Sequence, residues 1–163
     1  MKKSKMKKPD AVQKLEDFYG PPSQEAFASA TFYKPLQPNE DLTEKALEIY
    51  KYFVGELWER WGEEAWMGPW KEVYSRPSGS KRDLAAEMNA IEDREAALSI
   101  PLLLDGVETP GEKRDAFQAV FDDAAVEELR IFNLGDGGAM SGLLVAARNT
   151  DLEAGIFLTF LLD

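Results

Sequence analysis

The longest helical pattern in the chain lies in DLTEKALEIYKYFVGELWERWGEEAW, residues 41 to 66. There Ala46, Ile49, Tyr50, Phe53, Val54, Leu57, Trp58 and Trp61 recur at spacings of three and four. That period lays them on one stripe, with Glu48, Lys51, Glu59 and Arg60 off it, and predicts a helix facing a core. Asp41, with Glu44 three residues on, resembles a capping box in which the acid replaces the usual Ser or Thr. A shorter pattern precedes it in DAVQKLEDFYG: Asp10 is placed to cap, Val12, Leu15 and Tyr19 share a face, and Gly20 with Pro21 and Pro22 ends the helix. After RPSGS a second helix is expected, capped by Ser80 or Asp83, with Leu84, Met88 and Ile91 on one face as far as about Leu98. GEKRDAFQAVFDD predicts a third, bringing Ala116, Phe117, Val120 and Phe121 together.

The remaining segments read differently. Residues 21 to 41 hold Pro21, Pro22, Pro35 and Pro38, which predicts an irregular connection with one helical turn at SQEAFASA. SIPLLLDG reads as a short extended segment that Pro101 confines to an edge or a strand end. From Val126 the period shortens: ELRIFNL is strand-like, and the apolar run IFLTFLL needs cover on both faces, as a central strand does. Residues 139 to 152 admit two readings. A helix would complete a parallel βαβ unit; a strand over Leu143 to Arg148, turned at NTDLEAG, would give an antiparallel meander. The segment is short for a crossover helix, which favours the meander. The expected fold is α+β: a helical N-terminal two-thirds packed on a C-terminal antiparallel β-meander of three or four strands. Residues 10–163 would form one domain behind a disordered basic arm, residues 1–9.

Charge changes this picture more than overall composition does. The first eight residues carry five lysines and no acid; removing them leaves 14 basic against 30 acidic residues, a net of −16. An acidic body repels phosphate backbones, which argues against nucleic-acid binding by the body and for a basic protein as partner. The lysine arm lacks the apolar stretch of a secretory signal, and no run approaches the length of a membrane span, so a cytoplasmic protein without membrane attachment is expected. Histidine and cysteine are both absent. Their absence excludes Ser-His-Asp and Cys-His machinery and the usual zinc sites, leaving carboxylates, lysines, tyrosines or an oxygen-ligated metal for any catalysis. No cofactor or metal is implied.

FNLGDGGAMSG, Phe132 to Gly142, comes nearest to a chemical motif. It lacks the Gly-Lys-Ser/Thr ending of a P-loop. As G-x-G-x-x-G it has Gly135 and Gly137 but Met140 in third place, and as a nucleophile elbow Ser141 is flanked by Ala139 and Leu143. The remaining readings are a turn, in which Asp136, Gly137 and Gly138 tolerate positive φ, or a ligand contact through free backbone N–H groups. Ser78 to Lys81 spells S-x-x-K, but it lies in a Gly/Ser turn and the chain is too short for that enzyme architecture.

All four tryptophans fall in LWERWGEEAWMGPW. Burying one removes ~150–250 Å² from water, an upper bound of roughly 4–6 kcal/mol, so most must be core. Trp58 and Trp61 sit on the helical stripe. Trp66 and Trp70 flank the break at Gly68 and Pro69, and with Tyr74 they could line a cleft. Candidate binding residues are therefore Trp66, Trp70, Tyr74, Asp136, Gly137, Gly138 and Ser141. Two functions compete. The first is a non-enzymatic acidic interaction module, for instance an inhibitor or immunity-type protein set against a basic partner. The second is a small-molecule-binding or carboxylate-dependent enzymatic domain with a pocket near the Trp segment and the Gly-rich loop.

Overall fold

In chain order the elements are α1 (Asp10–Tyr19), β1 (Ala28–Pro35), α2 (Leu42–Val54), α3 (Leu57–Arg60), α4 (Glu63–Met67), β2 (Lys71–Ser75), α5 (Leu84–Asn89), α6 (Arg94–Asp105), α7 (Pro110–Phe121), β3 (Val126–Gly135), β4 (Ser141–Asn149) and β5 (Ala154–Leu162). They come from a computed structural model that describes residues 8–24, 28–60, 62–77, 79, 81–105, 110–136 and 140–162. The five strands form one antiparallel sheet in the order β1-β5-β4-β3-β2.

The α+β class stands, but the expected arrangement does not. Helices alternate with strands instead of filling the N-terminal two-thirds, and the sheet has five strands rather than three or four. Both unexpected strands come from the N-terminal part. β1 arises where four prolines predicted an irregular connection; Ala30 and Phe32 point to one face and Thr31 to the other, and its pairing with β5 supplies what local propensity lacked. β2 is five residues long and bulged between Glu72 and Tyr74, too short to leave a periodic signature.

The long predicted helix is three. Gly55 (φ 65°) closes α2, and Gly62 (φ 95°) separates α3 from α4. The described part of SIPLLLDG, residues 99–105, is helical, not extended: α6 runs through Pro101. Pro costs ~3 kcal/mol inside a helix. Ala96, Ile100 and Leu103 nevertheless share one buried face, and burying Ile100 and Leu103 is worth about 1.5–3 kcal/mol each. Asp83 caps α5, accepting from Ala86 N–H at 3.2 Å, and Asp41 caps α2, accepting from Thr43 and Glu44 N–H at 2.7 and 3.2 Å. Asp10 is the first helical residue of α1 rather than its cap. Ser78, Ser80, Trp61, Gly137 and Gly138 lie outside the described residues.

Of residues 139–152, those from 141 on form strand and turn, with β4 paired along its length to both β3 and β5. Side chains of β4 alternate between two cores. Leu143, Val145 and Ala147 face α1, α5, α6 and α7, while Leu144 and Ala146 face α2 and α4. Both faces of the sheet are thus covered, which explains why β4 and β5 are almost wholly apolar.

The outer edge of β1 is closed in two ways. The Thr31 N–H donates to the Gly20 carbonyl at 2.9 Å, and the strand ends at Pro35, which has no N–H to offer. Lys8 and Pro9 of the basic arm are placed: Lys8 Nζ lies 2.5 Å from the carboxylate of Glu16, a residue only 5% exposed. The arm's other lysines, within residues 1–7, lie outside the described residues.

Candidate functional site

The Trp segment and the start of the Gly-rich loop meet at Tyr50. Its hydroxyl lies 2.7 Å from the Trp66 carbonyl and 2.9 Å from the Gly135 carbonyl, and it accepts from the Gly135 N–H at 3.1 Å. Burial pushes this hydroxyl's pKa well above its ordinary value, so it stays protonated and its one proton serves one carbonyl at a time. Trp66 is 1% exposed, and its indole N–H donates to the Leu57 carbonyl at 2.9 Å. Trp70 is half-buried, stacked between Tyr50 (5.2 Å, 12°) and Phe132 (4.5 Å, 3°). Both faces of its ring are occupied by the protein's own aromatics.

Beyond Gly135, Asp136 Oδ1 accepts from the Met140 N–H at 3.2 Å, and the Asp136 N–H donates to the Met140 carbonyl at 3.3 Å. A Cβ at Gly135 would run into that carbonyl, and one at Gly142 into the Phe160 carbonyl of the neighbouring strand. These two glycines answer to strand geometry. Ser141 is exposed at the start of β4.

Tyr74 belongs elsewhere. The bulge in β2 turns it to the opposite face of the sheet from Trp66 and Trp70, where its hydroxyl donates to Glu87. Burial, with the Glu87 carboxylate beside it, pushes the Tyr74 hydroxyl up to about 12. Glu87 is held in turn by Arg76, whose guanidinium also donates to Asp122 (2.9 Å) and to the Phe121 carbonyl (3.0 Å). The Arg76 side chain is 6% exposed, so this network is internal and ties β2 to α5 and α7. Burial works against the charge on Glu87, yet Arg76 and Tyr74 hold its pKa below the ordinary value. On Asp122 burial prevails and the pKa rises. The structure therefore brings Trp66, Trp70 and Asp136 to one neighbourhood and puts Tyr74 in another.

The outer surface of the α2–α4 layer carries a close group of acids. Residues 56 to 64 hold Glu56, Glu59, Glu63 and Glu64 against the single cation Arg60, and all four acids are exposed. Arginines of the sheet, by contrast, bind the protein's own carboxylates: Arg130 pairs with Glu72 and Glu128 at 2.7 and 2.8 Å, and Arg148 with Glu128 at 3.0 Å.

A groove of about 400 Å³ opens between the end of β1 and α2, walled by Lys34, Pro35, Gln37, Glu40, Lys45, Glu48, Ile49 and Tyr52, two cations against two acids. Tyr52 is 50% exposed. The sequence reading passed over it, although its signal was present: Tyr52 is the aromatic that falls off the α2 stripe, four residues after Glu48.

Among the described residues no three carboxylates converge to hold a metal ion, and no helix is long and apolar enough to cross a membrane. The class defined by these features is an α+β protein whose antiparallel sheet lies between two helical layers. Compared with known protein families, curated proteins and solved structures, the chain has no match.

Proposed function

We propose that the protein is a non-enzymatic, cytoplasmic interaction module that presents the acidic exterior of α2–α4 to a basic protein, as an inhibitor or immunity-type protein would. One observation carries this reading. Glu56, Glu59, Glu63 and Glu64 are exposed together, while Arg76, Arg130 and Arg148 are engaged with other carboxylates of the chain. Uncompensated surface charge of one sign speeds encounter with the opposite sign and rejects like-charged partners. The competing pocket at the tryptophans is less favoured, because the ring faces of Trp70 are already covered.

The test is affinity capture from the source cell's lysate at low salt, followed by binding kinetics with the captured protein. A basic protein bound in stoichiometric amount, associating about tenfold more slowly with the Glu59→Lys, Glu63→Lys, Glu64→Lys triple variant, is the expected result. An unchanged association rate at low salt, or no basic protein captured, rejects the reading.

A further inference from the structure

We propose that the pocket between the start of α1, the end of α7 and the turn from β4 to β5 binds a short aliphatic amine, with the ammonium at Asp123 and Asp151 and the carbon chain on an apolar floor. It lies on the other face of the sheet from α2–α4 and does not rest on the interaction reading above. The pocket encloses about 230 Å³. Of its ten lining residues seven are apolar, one is Asn149, and the two charged ones are both aspartates. No lysine or arginine is among them, so nothing in the lining offsets the negative charge.

The floor is aliphatic. Val12, Val120 and Ile156 are buried at its base, and Leu152 closes the side formed by the turn. Ala11 on α1 and Ala119 on α7 stand at the helical walls, where their short side chains leave open the space that a leucine would fill. A carbon chain laid on such walls gains in proportion to the apolar area it removes from water. No aromatic ring lines the pocket, so a guanidinium finds no plane to stack on, and an ammonium on a methylene chain is the better fit.

The two carboxylates are set on one frame. The Ala125 N–H donates to Asp123 Oδ1 at 2.8 Å, and the Ala125 carbonyl accepts from the Thr150 N–H at 3.0 Å. Asp151 follows Thr150 directly, so the loop after α7 and the β4–β5 turn are tied together before any ligand arrives. Asn149, 5% exposed, accepts from the Leu152 N–H at 3.0 Å and fixes the same turn. Its carboxamide nitrogen has no partner among the described residues, which leaves one donor for a water or for an oxygen on the ligand. A preformed rim lowers the ordering cost of binding.

The neighbouring cations are committed elsewhere. Lys8 precedes Pro9 on the pocket wall, but its ammonium lies 2.5 Å from the carboxylate of the buried Glu16. Arg82 donates to the Val126 carbonyl at 2.9 Å. Among the described residues no lysine or arginine pairs with Asp123 or Asp151. An entering ammonium therefore breaks no resident pair. Both aspartates are exposed, so charge alone holds a cation weakly, and the apolar floor has to supply the selectivity.

The experiment is an amide NMR titration of the full chain at neutral pH with n-pentylamine, methylamine, 1-pentanol and Nα-acetyl-lysine N-methylamide. Pentylamine should shift amides of residues 119–125 and 149–152 at about one-fifth or less of the concentration that methylamine or pentanol requires. Asp123→Asn combined with Asp151→Asn should remove its advantage over pentanol. Ala119→Leu, which fills the recess, should remove its advantage over methylamine. Asparagine keeps an acceptor for the Ala125 N–H and residue 119 is exposed, so the fold should persist, as retained signal dispersion will report. Pentylamine no more potent than methylamine would mean loose pairing with surface carboxylates, and no more potent than pentanol an uncharged recess; either overturns the proposal. Shifts absent from these residues, or preferences unchanged in the variants, overturn it as well. Within the supporting result the lysine derivative separates the sources: potency equal to pentylamine assigns the pocket to a lysine side chain of another protein, and weaker binding to a free amine.

Discussion

The two faces of the sheet are built differently inside. On the side of α1, α5, α6 and α7, carboxylates are drawn inward and met by cations: Glu87 and Asp122 by the buried Arg76, and Glu16 and Asp93 by the more exposed Lys8 and Lys71. On the side of α2 and α4 the interior is aromatic, built on Tyr50, Trp58, Trp66, Trp70 and Phe132, with the Tyr50 hydroxyl as its buried polar junction. There the acids remain outside. Both helical layers also keep carboxylates in water, Asp17, Glu95 and Asp115 on one side and Glu56, Glu59, Glu63 and Glu64 on the other, so the difference lies in the interiors. The α2–α4 side is proposed as the interaction surface because four exposed acids are grouped there between residues 56 and 64.

The sharpest way to break the contrast is to remove a charge from the ionic side. Arg76→Ala leaves Glu87 and Asp122 without their cation in a site where Arg76 is 6% exposed, and should cost about 3–5 kcal/mol in denaturant unfolding. A loss under 1 kcal/mol would mean the network is a surface feature. On the aromatic side the matching lesion is smaller. Tyr50→Phe keeps the stack on Trp70 but strips the Gly135 N–H of its acceptor, so about 1–3 kcal/mol should be lost. Amide exchange at Gly135 should quicken before that of β3's interior, which distinguishes local release from general loosening.

The smallest effect is one of pH. Burial opposes the charge on Asp93, but Lys71, the Ala96 N–H and the Asn133 amide hold its pKa down at about 2, against an ordinary 3.8. A depressed carboxylate stabilises the fold above its unfolded pKa and loses that contribution as pH falls through the folded value. Asp93→Asn should therefore cost about 1 kcal/mol or less at neutral pH, allowing for screening of the exposed Lys71 partner. Wild type and variant should converge between pH 3.8 and about 2. A difference that persists unchanged to pH 2 would place the effect in packing rather than in the ion pair.

What the sequence made legible was decided by how local the cause was. Gly20 and Pro21 ending α1, Asp41 opening α2, and the buried stripe of α2 all follow from neighbours within a few residues. β1 does not: its partner β5 lies at the other end of the chain, and four nearby prolines pointed to a loop. Pro101 misled in the same way, because the contacts that hold α6 together come from β4 and α7. At the candidate site, the acidic stretch was visible as composition. The groove was not, since it needs the end of β1 beside α2, and β1 had been read as irregular. Tyr74 was grouped with Trp70 by proximity along the chain, and one bulge put them on opposite faces.

The ends of the sheet carry a consequence for how this molecule can join others. At one end Gly20 occupies the Thr31 donor and Pro35 terminates β1; at the other, β2 is short, kinked and bordered by Lys71 and Glu72. Neither border is a template on which a foreign strand could lengthen the sheet, so growth into fibrils or strand exchange between copies is disfavoured from the outset. Recognition then has to pass through side chains, and it becomes a matter of shape and charge that substitutions can tune one residue at a time.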